Sequence, residues 1–388
     1  MPELSTDADP GPRPDAAPRP DRDPRRHWRL ARWLAPTGVA AVIALLASGV
    51  LSADANPNLP PQSAAQLLAA IGNAKLTGFS GTVVEKASLG LPELPTVAGA
   101  DPATGLAGLL TGSHTIRLWY GGETKQRIAL LSSLGEQDLF RNGRELWQWN
   151  SETRTANHTV LPSDASGHPG DPRLPVITPD EAARRALAMI DPSTAVSTDR
   201  AAIVAGRPAY VLVLRPRDDR SRVGSVRISV DGKTKIPLGV QVLARGSDRA
   251  AIDITFTRFH DSMPSQDNFD WTPPDGAMIS QASPPRHPEG YRPPAGLGPD
   301  VSTIGTGWTT ITKLTGVSVL PGSGSGSESG SQGDQFGSLL AGLPEVSGSW
   351  GSGRLLRSAL LSALITSDGR VYVGAVDPEL LYAAAATK

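Results

Sequence analysis

The chain of 388 residues contains no cysteine. This absence excludes disulfides, cysteine nucleophiles, thiolate metal sites and a lipid-modified N-terminal cysteine. Neither sign of charge dominates, since there are 37 Lys and Arg residues and 38 Asp and Glu residues. A nearly neutral chain gives no reason to expect nucleic acid as a partner.

The sequence also lacks a recognisable catalytic or metal-binding motif. None of its 6 histidines lies in an HExxH or similar ligand spacing, and there is no GxSxG segment. Acidic pairs such as Asp218 and Asp219 lie in polar turns, where solvated surface charge is common. Because an enzyme needs positioned acids, bases or nucleophiles, we expect a non-catalytic protein without a cofactor or a metal.

The N-terminus carries the features of a membrane address. Residues 1–32 are rich in Pro, Asp and Arg, so we expect a disordered tail on the cytoplasmic side. Arginines near its end precede an uncharged stretch, Trp33 to Ala53, that is long enough to cross a hydrocarbon core of about 30 Å. This order predicts a single-pass anchor in the cytoplasmic membrane, with the main domain outside. The alternatives are a signal peptide cleaved near Ala53-Asp54-Ala55, which would give a secreted protein, and a buried soluble helix.

Beyond residue 60 the sequence predicts a helix followed by a strand and, after a gap, a meander. Ser63 and Gln66 form a capping box at the start of a short amphipathic helix. Five strand-like segments lie between His114 and Leu161, and turn residues such as Asn142-Gly143 separate them. The stretch from Leu89 to Gly112 has no periodicity and is long for a loop, which is typical of a functional flap or of disorder.

A second helix is predicted to start at Thr178-Pro179, and five more strand-like segments lie between Ala201 and His260. Both helices are too short to serve as crossovers between parallel strands throughout. We therefore expect an α+β fold, in which short helices cover a curved antiparallel sheet. One N-terminal transmembrane helix precedes this domain, which we place at residues 60–320.

The C-terminal part begins after a Gly/Ser-rich linker at residues 321–340. Before the linker, Trp308–Leu320 is predicted to form a strand. After it, residues 341–388 contain two strand segments, Leu355–Thr366 and Val371–Ala375, and a terminal helix capped by Asp377-Pro378. Because this part is too small to fold alone, we expect it to dock on the main domain.

Apolar side chains that share strand faces are the candidates for ligand binding. Alternation places Trp147 and Trp149 on one face of their strand, and it does the same for Ile128 and Leu130. Such a face either fills a core or lines an apolar pocket, and both alternatives stay open. The full candidate set is Leu118, Tyr120, Ile128, Leu130, Trp147, Trp149, Val211 and Val213.

Four segments resemble motifs of the outer-membrane lipoprotein carrier (LolA-like) family, especially its membrane-anchored actinobacterial members. Leu139–Trp149 resembles a "DG…W.Y" hairpin, with Asn142 where Asp is usual, and Val204–Pro216 resembles a "G.p.y.L.l.P" strand. Val230–Val242 resembles a "vD…P…v" pair, and Phe269–Ala277 resembles the closing "F.f.pP.GA" motif. The similarity covers the region from the first predicted helix to the closing motif. RseB-like sigma-factor regulatory proteins share these patterns.

The resemblance implies an unclosed β-barrel with a helical lid and a cavity for acyl chains. The implied function is binding of a lipid or a lipidated protein at the outer face of the cytoplasmic membrane. The alternative is an RseB-like sensor that binds a membrane signalling partner. Two departures from the family are the N-terminal membrane segment and the added part after the linker. A tethered protein cannot shuttle freely to a distant membrane.

Overall fold

The computed structural model describes residues 59–90, 111–132, 135–161, 190–281, 300–316 and 342–387. Several predicted segments lie outside these residues: the N-terminal tail, the membrane segment, most of the long flap, the helix at Thr178 and the Gly/Ser-rich linker. Among the described residues, no helix has both the length and the apolar character needed to cross a membrane.

Among the described residues, twelve strands form the larger sheet. They are β1 (Phe79–Ser88), β2 (Thr111–Tyr120), β3 (Lys125–Leu131), β4 (Glu136–Asn142), β5 (Glu145–Asn150), β6 (Thr155–Val160), β7 (Thr194–Val204), β8 (Arg207–Pro216), β9 (Val223–Asp231), β10 (Pro237–Ala244), β11 (Ala250–His260) and β12 (Met278–Gln281). Their spatial order is β12-β6-β5-β4-β3-β2-β1-β11-β10-β9-β8-β7, with β12 and β7 as the two edges within the described part of the chain. The prediction of an unclosed, mainly antiparallel sheet is therefore confirmed.

The predicted meander corresponds to β2–β6, each strand pairing antiparallel with the next. Its tight turns have the expected chemistry. Gly143, between β4 and β5, has a φ of 64°, which is a left-handed conformation that glycine adopts without steric cost. One pairing was not predicted, because β12 is parallel to β6. A strand of four exposed residues has no alternation by which the sequence could reveal it.

The larger sheet has two distinct faces, since side chains alternate along each strand and paired residues share a face. We call the face that carries Val83, Leu212 and Ile254 the inner face, because these residues belong to the main hydrophobic core. The opposite face is the outer face.

One helix, α1 (Ala64–Asn73), contributes to this core. Ser63 Oγ accepts a hydrogen bond from the backbone N of Gln66 at 3.2 Å, and Gln66 Oε1 accepts one from the backbone N of Ser63 at 2.8 Å. The predicted capping box is therefore confirmed. Leu67 and Ile71 are buried in the same core as the inner face. Just before the helix, the carbonyl of Pro60 accepts a 2.8 Å hydrogen bond from the Tyr210 hydroxyl on β8.

A second sheet contains six strands from the described segments 300–316 and 342–387. They are β13 (Asp300–Ile304), β14 (Ile311–Thr315), β15 (Glu345–Gly348), β16 (Gly351–Arg357), β17 (Ser362–Thr366) and β18 (Val371–Gly374), in the order β13-β14-β18-β17-β16-β15. The C-terminal helix α2 (Pro378–Ala386) packs on β17 and β18, where Leu364, Tyr372 and Leu381 are fully buried. Because β13 and β14 belong to this sheet, strands from both sides of the predicted linker are paired. The domain boundary at residue 320 stays a prediction.

Two predicted strands differ from the structure. Trp308 lies in a 3₁₀ turn, where its indole nitrogen donates a 2.9 Å hydrogen bond to Thr194 Oγ1, and β14 starts only at Ile311. The segment Leu355–Thr366 is not continuous. Ser358 closes a turn inside it, since its Oγ accepts a 3.1 Å hydrogen bond from the backbone N of Leu361. Local side-chain hydrogen bonds of this kind compete with strand pairing.

The second sheet contacts the first at the start of β9. Arg222 donates to the Ser358 carbonyl at 2.6 Å and pairs with Asp377 at 2.8 Å. Leu360, from the same turn as Ser358, is buried in the main core, and the backbone N of Ala359 donates to the Leu89 carbonyl at 2.7 Å. The described C-terminal residues 342–387 therefore insert a turn at the end of the core, and none of their strands belongs to the larger sheet.

Candidate ligand site on the inner face

The candidate site begins with a band of apolar side chains that crosses β1–β4 on the inner face. Cross-strand pairing places Leu118 beside Ile128, and Ile128 beside Leu139. The neighbouring row places Ile116 beside Leu130 in the same way. We call this band the apolar strip, and its members are Val83, Ile116, Leu118, Tyr120, Ile128, Leu130 and Leu139.

Exposure increases along the apolar strip. Val83 is fully buried and Leu118 is 5 % exposed, whereas Ile128 and Leu139 are only half-buried. In the row that runs from Leu118 through Ile128 to Leu139, the next side chain is the exposed Gln148 on β5. The strip therefore leads from the packed core to an apolar surface with a polar edge. A ligand that covers this surface gains the free energy of burying it.

An aromatic cluster lies at one end of the strip. The ring of Tyr120 stacks on that of Phe79 with centroids 5.4 Å apart, and Phe79 also stacks on Phe259 at 5.8 Å. Phe256 meets Phe79 edge-on at 6.2 Å. These contacts fix the position of Tyr120, which is partly buried against the core.

Two titratable residues lie at the other end of the strip. Glu85 on β1 is paired with His114 on β2, and the Glu85 Oε2 to His114 Nδ1 distance is 4.0 Å. Glu85 is 1 % exposed, and burial raises its pKa to about 7. Burial also lowers the pKa of His114. This pair was not among the predicted site residues, although Glu85 shares a strand face with the apolar Val83 two residues before it.

The two tryptophans predicted for the site lie on the outer face. Trp271 packs over them, with ring centroids 5.4 Å from Trp147 and 5.8 Å from Trp149, and it also stacks on Phe140 at 4.9 Å. Trp271 belongs to the segment 261–281, which we call the strap. The structure therefore places Trp147 and Trp149 in an aromatic cluster with the strap, away from Leu118 and Ile128.

Side-chain hydrogen bonds hold the strap against the sheet. Lys125 Nζ donates to Gln266 Oε1 at 2.5 Å, and Asn142 Nδ2 donates to Asp270 Oδ1 at 2.7 Å. Further along, Arg154 donates to the backbone carbonyl of Asp275 at 2.5 Å. The closing motif predicted from the resemblance thus packs across the turns of the meander.

Arg127 is the half-buried cation of this outer cluster. Its guanidinium lies 4.7 Å from the ring centroid of Trp119 and 4.6 Å from that of Phe140. It also pairs with Asp138 at 2.8 Å. Burial raises the pKa of Asp138 to about 6, although the charge of Arg127 acts in the opposite direction. The arrangement is a packed ion pair between aromatic rings.

The remaining candidates, Val211 and Val213, also lie on the outer face. They alternate with Leu212 and Leu214, which are part of the main core, and they are 5 % and 1 % exposed. The eight predicted residues therefore divide equally between two faces. Leu118, Tyr120, Ile128 and Leu130 come together on the inner face, and their role in ligand binding stays a prediction. No group of acidic, His or Cys side chains in the described segments could hold a metal ion.

Comparison with known proteins gives structural neighbours only. No protein-family model matches the chain, and no curated protein matches it. The chain is similar to a solved structure of the Pseudomonas aeruginosa MucA/MucB complex. The identity is 16 % and the TM-score 0.40, over 83 % of this chain and 96 % of that chain.

A LolA superfamily protein from Nitrosomonas europaea is similar at 12 % identity and a TM-score of 0.21, over 54 % of this chain and 99 % of that one. An uncharacterized conserved protein from Thermus thermophilus is similar at 11 % identity and a TM-score of 0.32, over 56 % of this chain and 99 % of that one. The neighbours thus include both kinds of protein, RseB-like and LolA-like, that the sequence resembles.

Proposed function

We propose that the chain is a non-catalytic binding protein that holds the acyl chain of a lipid or a lipidated protein on the inner face of its larger sheet. The observation that carries this proposal is the apolar strip. Its half-buried members Ile128, Leu130 and Leu139 continue the packed core outward. An acyl chain laid along them would bury apolar area at about 25 cal/mol per Å².

We also propose that the protein works outside the cytoplasmic membrane. The arginines that end near Arg32 and the uncharged stretch from Trp33 to Ala53 support an anchor with its N-terminus inside. A tethered binding protein would take its ligand from the adjacent membrane surface. If the segment is instead cleaved as a signal peptide, the same domain would act as a secreted carrier.

A second candidate function is that of a sensor that binds a membrane regulator protein. The edge strand β12 favours it, because Met278 and Ile279 are 62 % and 58 % exposed there. An exposed edge strand can accept an extended segment of a partner through backbone hydrogen bonds.

Photo-cross-linking tests the first proposal. The full chain is placed in lipid nanodiscs that contain a phospholipid with a photoactivatable acyl chain, and labelled peptides are mapped by mass spectrometry. We expect labels on β2–β4 in addition to any on residues 33–53. The Ile128→Asp variant should lose the β2–β4 labels, and the matched Ile279→Asp variant should keep them. Labels restricted to residues 33–53 would contradict the proposal.

A further inference from the structure

Glu85 and His114 adjoin the apolar strip directly. Glu85 follows Val83 by two residues on β1, and His114 precedes Ile116 by two residues on β2, so all four share the inner face. The strip therefore has a polar end. A surface that is apolar along its length and polar at one end matches an amphiphile, which has the same division.

Among the described residues, the polar atoms at this end make no hydrogen bond, and Glu85 and His114 approach each other only to 4.0 Å. Both carboxylate oxygens of Glu85 and Nδ1 of His114 are buried, and none makes a hydrogen bond within the described residues. Buried polar side chains in folded proteins are nearly always hydrogen-bonded. Three such atoms in adjacent side chains are therefore free to bind polar groups of a ligand. The His114 side chain is 15 % exposed and that of Glu85 only 1 %, so His114 is the more solvent-accessible member of the pair.

The surroundings of Glu85 and His114 determine which polar head group of an amphiphilic ligand can bind there. On its other side Glu85 is paired with the apolar Ile254 on β11. Among the described residues, no Lys or Arg forms an ion pair with Glu85, and His114 is the only basic side chain with a nitrogen within 4.0 Å of its carboxylate. An anionic head group would meet a carboxylate without a countercharge. A head group with N–H or O–H donors would satisfy the carboxylate instead.

We propose that Glu85 and His114 bind the head group of the acyl ligand and select one that carries hydrogen-bond donors and no negative charge. This inference rests on the proposed acyl-binding function and specifies its ligand. Two sources share the chemistry: a neutral lipid with free hydroxyls, and the N-acylated end of a lipidated protein, whose amide carries an N–H.

A competition assay with ligands of one chain length tests the selectivity. The full chain binds a fluorescent acyl probe at pH 8, and four competitors displace it: a monoacylglycerol, an N-acyl peptide, a fatty acid methyl ester and the free fatty acid. We expect the first two to bind about tenfold more tightly than the ester, which is about 1.4 kcal/mol. The fatty acid should bind most weakly. Tighter binding of the monoacylglycerol would indicate a neutral lipid as the ligand, and tighter binding of the N-acyl peptide would indicate a lipidated protein.

The Glu85→Gln variant is the decisive one, because it is expected to gain affinity for one competitor. Removing the carboxylate charge should raise the affinity for the fatty acid about tenfold and leave the methyl ester within about threefold. A folding defect cannot produce such a selective gain. Glu152→Gln, on an exposed turn, is the matched control and should change nothing.

Two outcomes would overturn the inference, and they can be told apart. If the wild-type chain binds all four competitors equally, or if Glu85→Gln leaves the fatty acid affinity unchanged, the head-group site is wrong and the acyl-binding function stands. If no competitor or probe binds the wild-type chain, the acyl-binding function fails and the inference fails with it.

Discussion

The indole of Trp271 stacks on the ring of Phe140, with centroids 4.9 Å apart and ring planes 17° from parallel. Phe140, on the outer face of β4, is 2 % exposed and is therefore buried beneath the strap. Trp147 and Trp149 meet the same indole. The chain's own tryptophan thus fills the space that a ligand would need beside these two residues.

Replacing Trp271 should therefore affect stability and not ligand binding. We expect Trp271→Ala to lower the free energy of unfolding by about 2–3 kcal/mol, because a large, partly buried aromatic is lost. Urea unfolding measures the change, and Trp271→Phe, which keeps a stacked ring, should recover most of it. Loss of acyl-probe binding by a folded Trp271→Ala protein would show that the outer cluster belongs to the ligand site.

Arg127→Met should destabilise the fold in a pH-dependent way. The substitution leaves Asp138, whose side chain is 4 % exposed, without its cation, and a buried charge that loses its partner costs about 3 kcal/mol. The pKa of Asp138 is already raised to about 6, and removing Arg127 raises it further. The loss should therefore be large at pH 8 and small at pH 5, where the carboxyl is protonated. The double variant Arg127→Met/Asp138→Asn should remove this pH dependence, and a loss equal at both pH values would contradict the account.

Glu85 should make the protein less stable as the pH rises. Its pKa is about 7 in the fold against 4.5 as a reference, so the folded chain holds this proton more tightly than the unfolded chain. The resulting stability is fully present below pH 4.5, is lost as the pH rises through 7, and amounts to about 3 kcal/mol.

Glu85→Gln removes this titration, which gives a direct test. The free energy of unfolding of the variant relative to wild type should rise between pH 5 and pH 8. His114, which faces Glu85 and whose pKa is lowered, titrates in both proteins with the opposite sign, so the comparison is made at matched pH. A difference that does not vary with pH would show that Glu85 is not a buried, protonated carboxyl in the fold.

Asp377 should couple the two sheets. Its carboxylate pairs with Arg222 at 2.8 Å and also with Arg245, and the side chain makes no capping bond to α2 although it occupies the N-cap position. We expect Asp377→Ala to leave Arg222 partly buried without its partner and to split thermal unfolding into two transitions. Calorimetry measures this, and Asp368→Ala, an exposed ion-pair partner within the second sheet, is the control. A single transition with unchanged midpoint would contradict the coupling.

The strands themselves could be predicted because their signals are local. The predicted turn at Asn142-Gly143 joins β4 to β5, since alternation on both sides and the turn residues between them define where the strands end. The same alternation told which residues of one strand share a face. It could not tell whether that face is inner or outer, because this depends on the register with the next strand.

The predicted site residues fall on two faces because alternation alone does not tell which face of a strand is the inner one. Pairing of Phe140 with Trp147, and of Leu139 with Gln148, turns the tryptophans outward. The parallel pairing of β12 with β6 joins residues more than a hundred positions apart and leaves no local signal. In contrast, the position of Glu85 two residues after Val83, on the same strand face, was visible in the sequence. A charged residue on an apolar strand face is a signal that sequence reasoning can use.

The most direct test of an acyl-binding inner face uses the absence of cysteine from the chain. A nitroxide attached to Leu139→Cys lies on the apolar strip, and one attached to Val160→Cys lies on the outer face at an exposed position. The measurement is the collision rate of each label with a water-soluble relaxation agent as acyl ligand is added. We predict that the rate falls at position 139 and stays constant at position 160. A constant rate at position 139, with ligand bound, would contradict the proposal that the apolar strip holds the acyl chain.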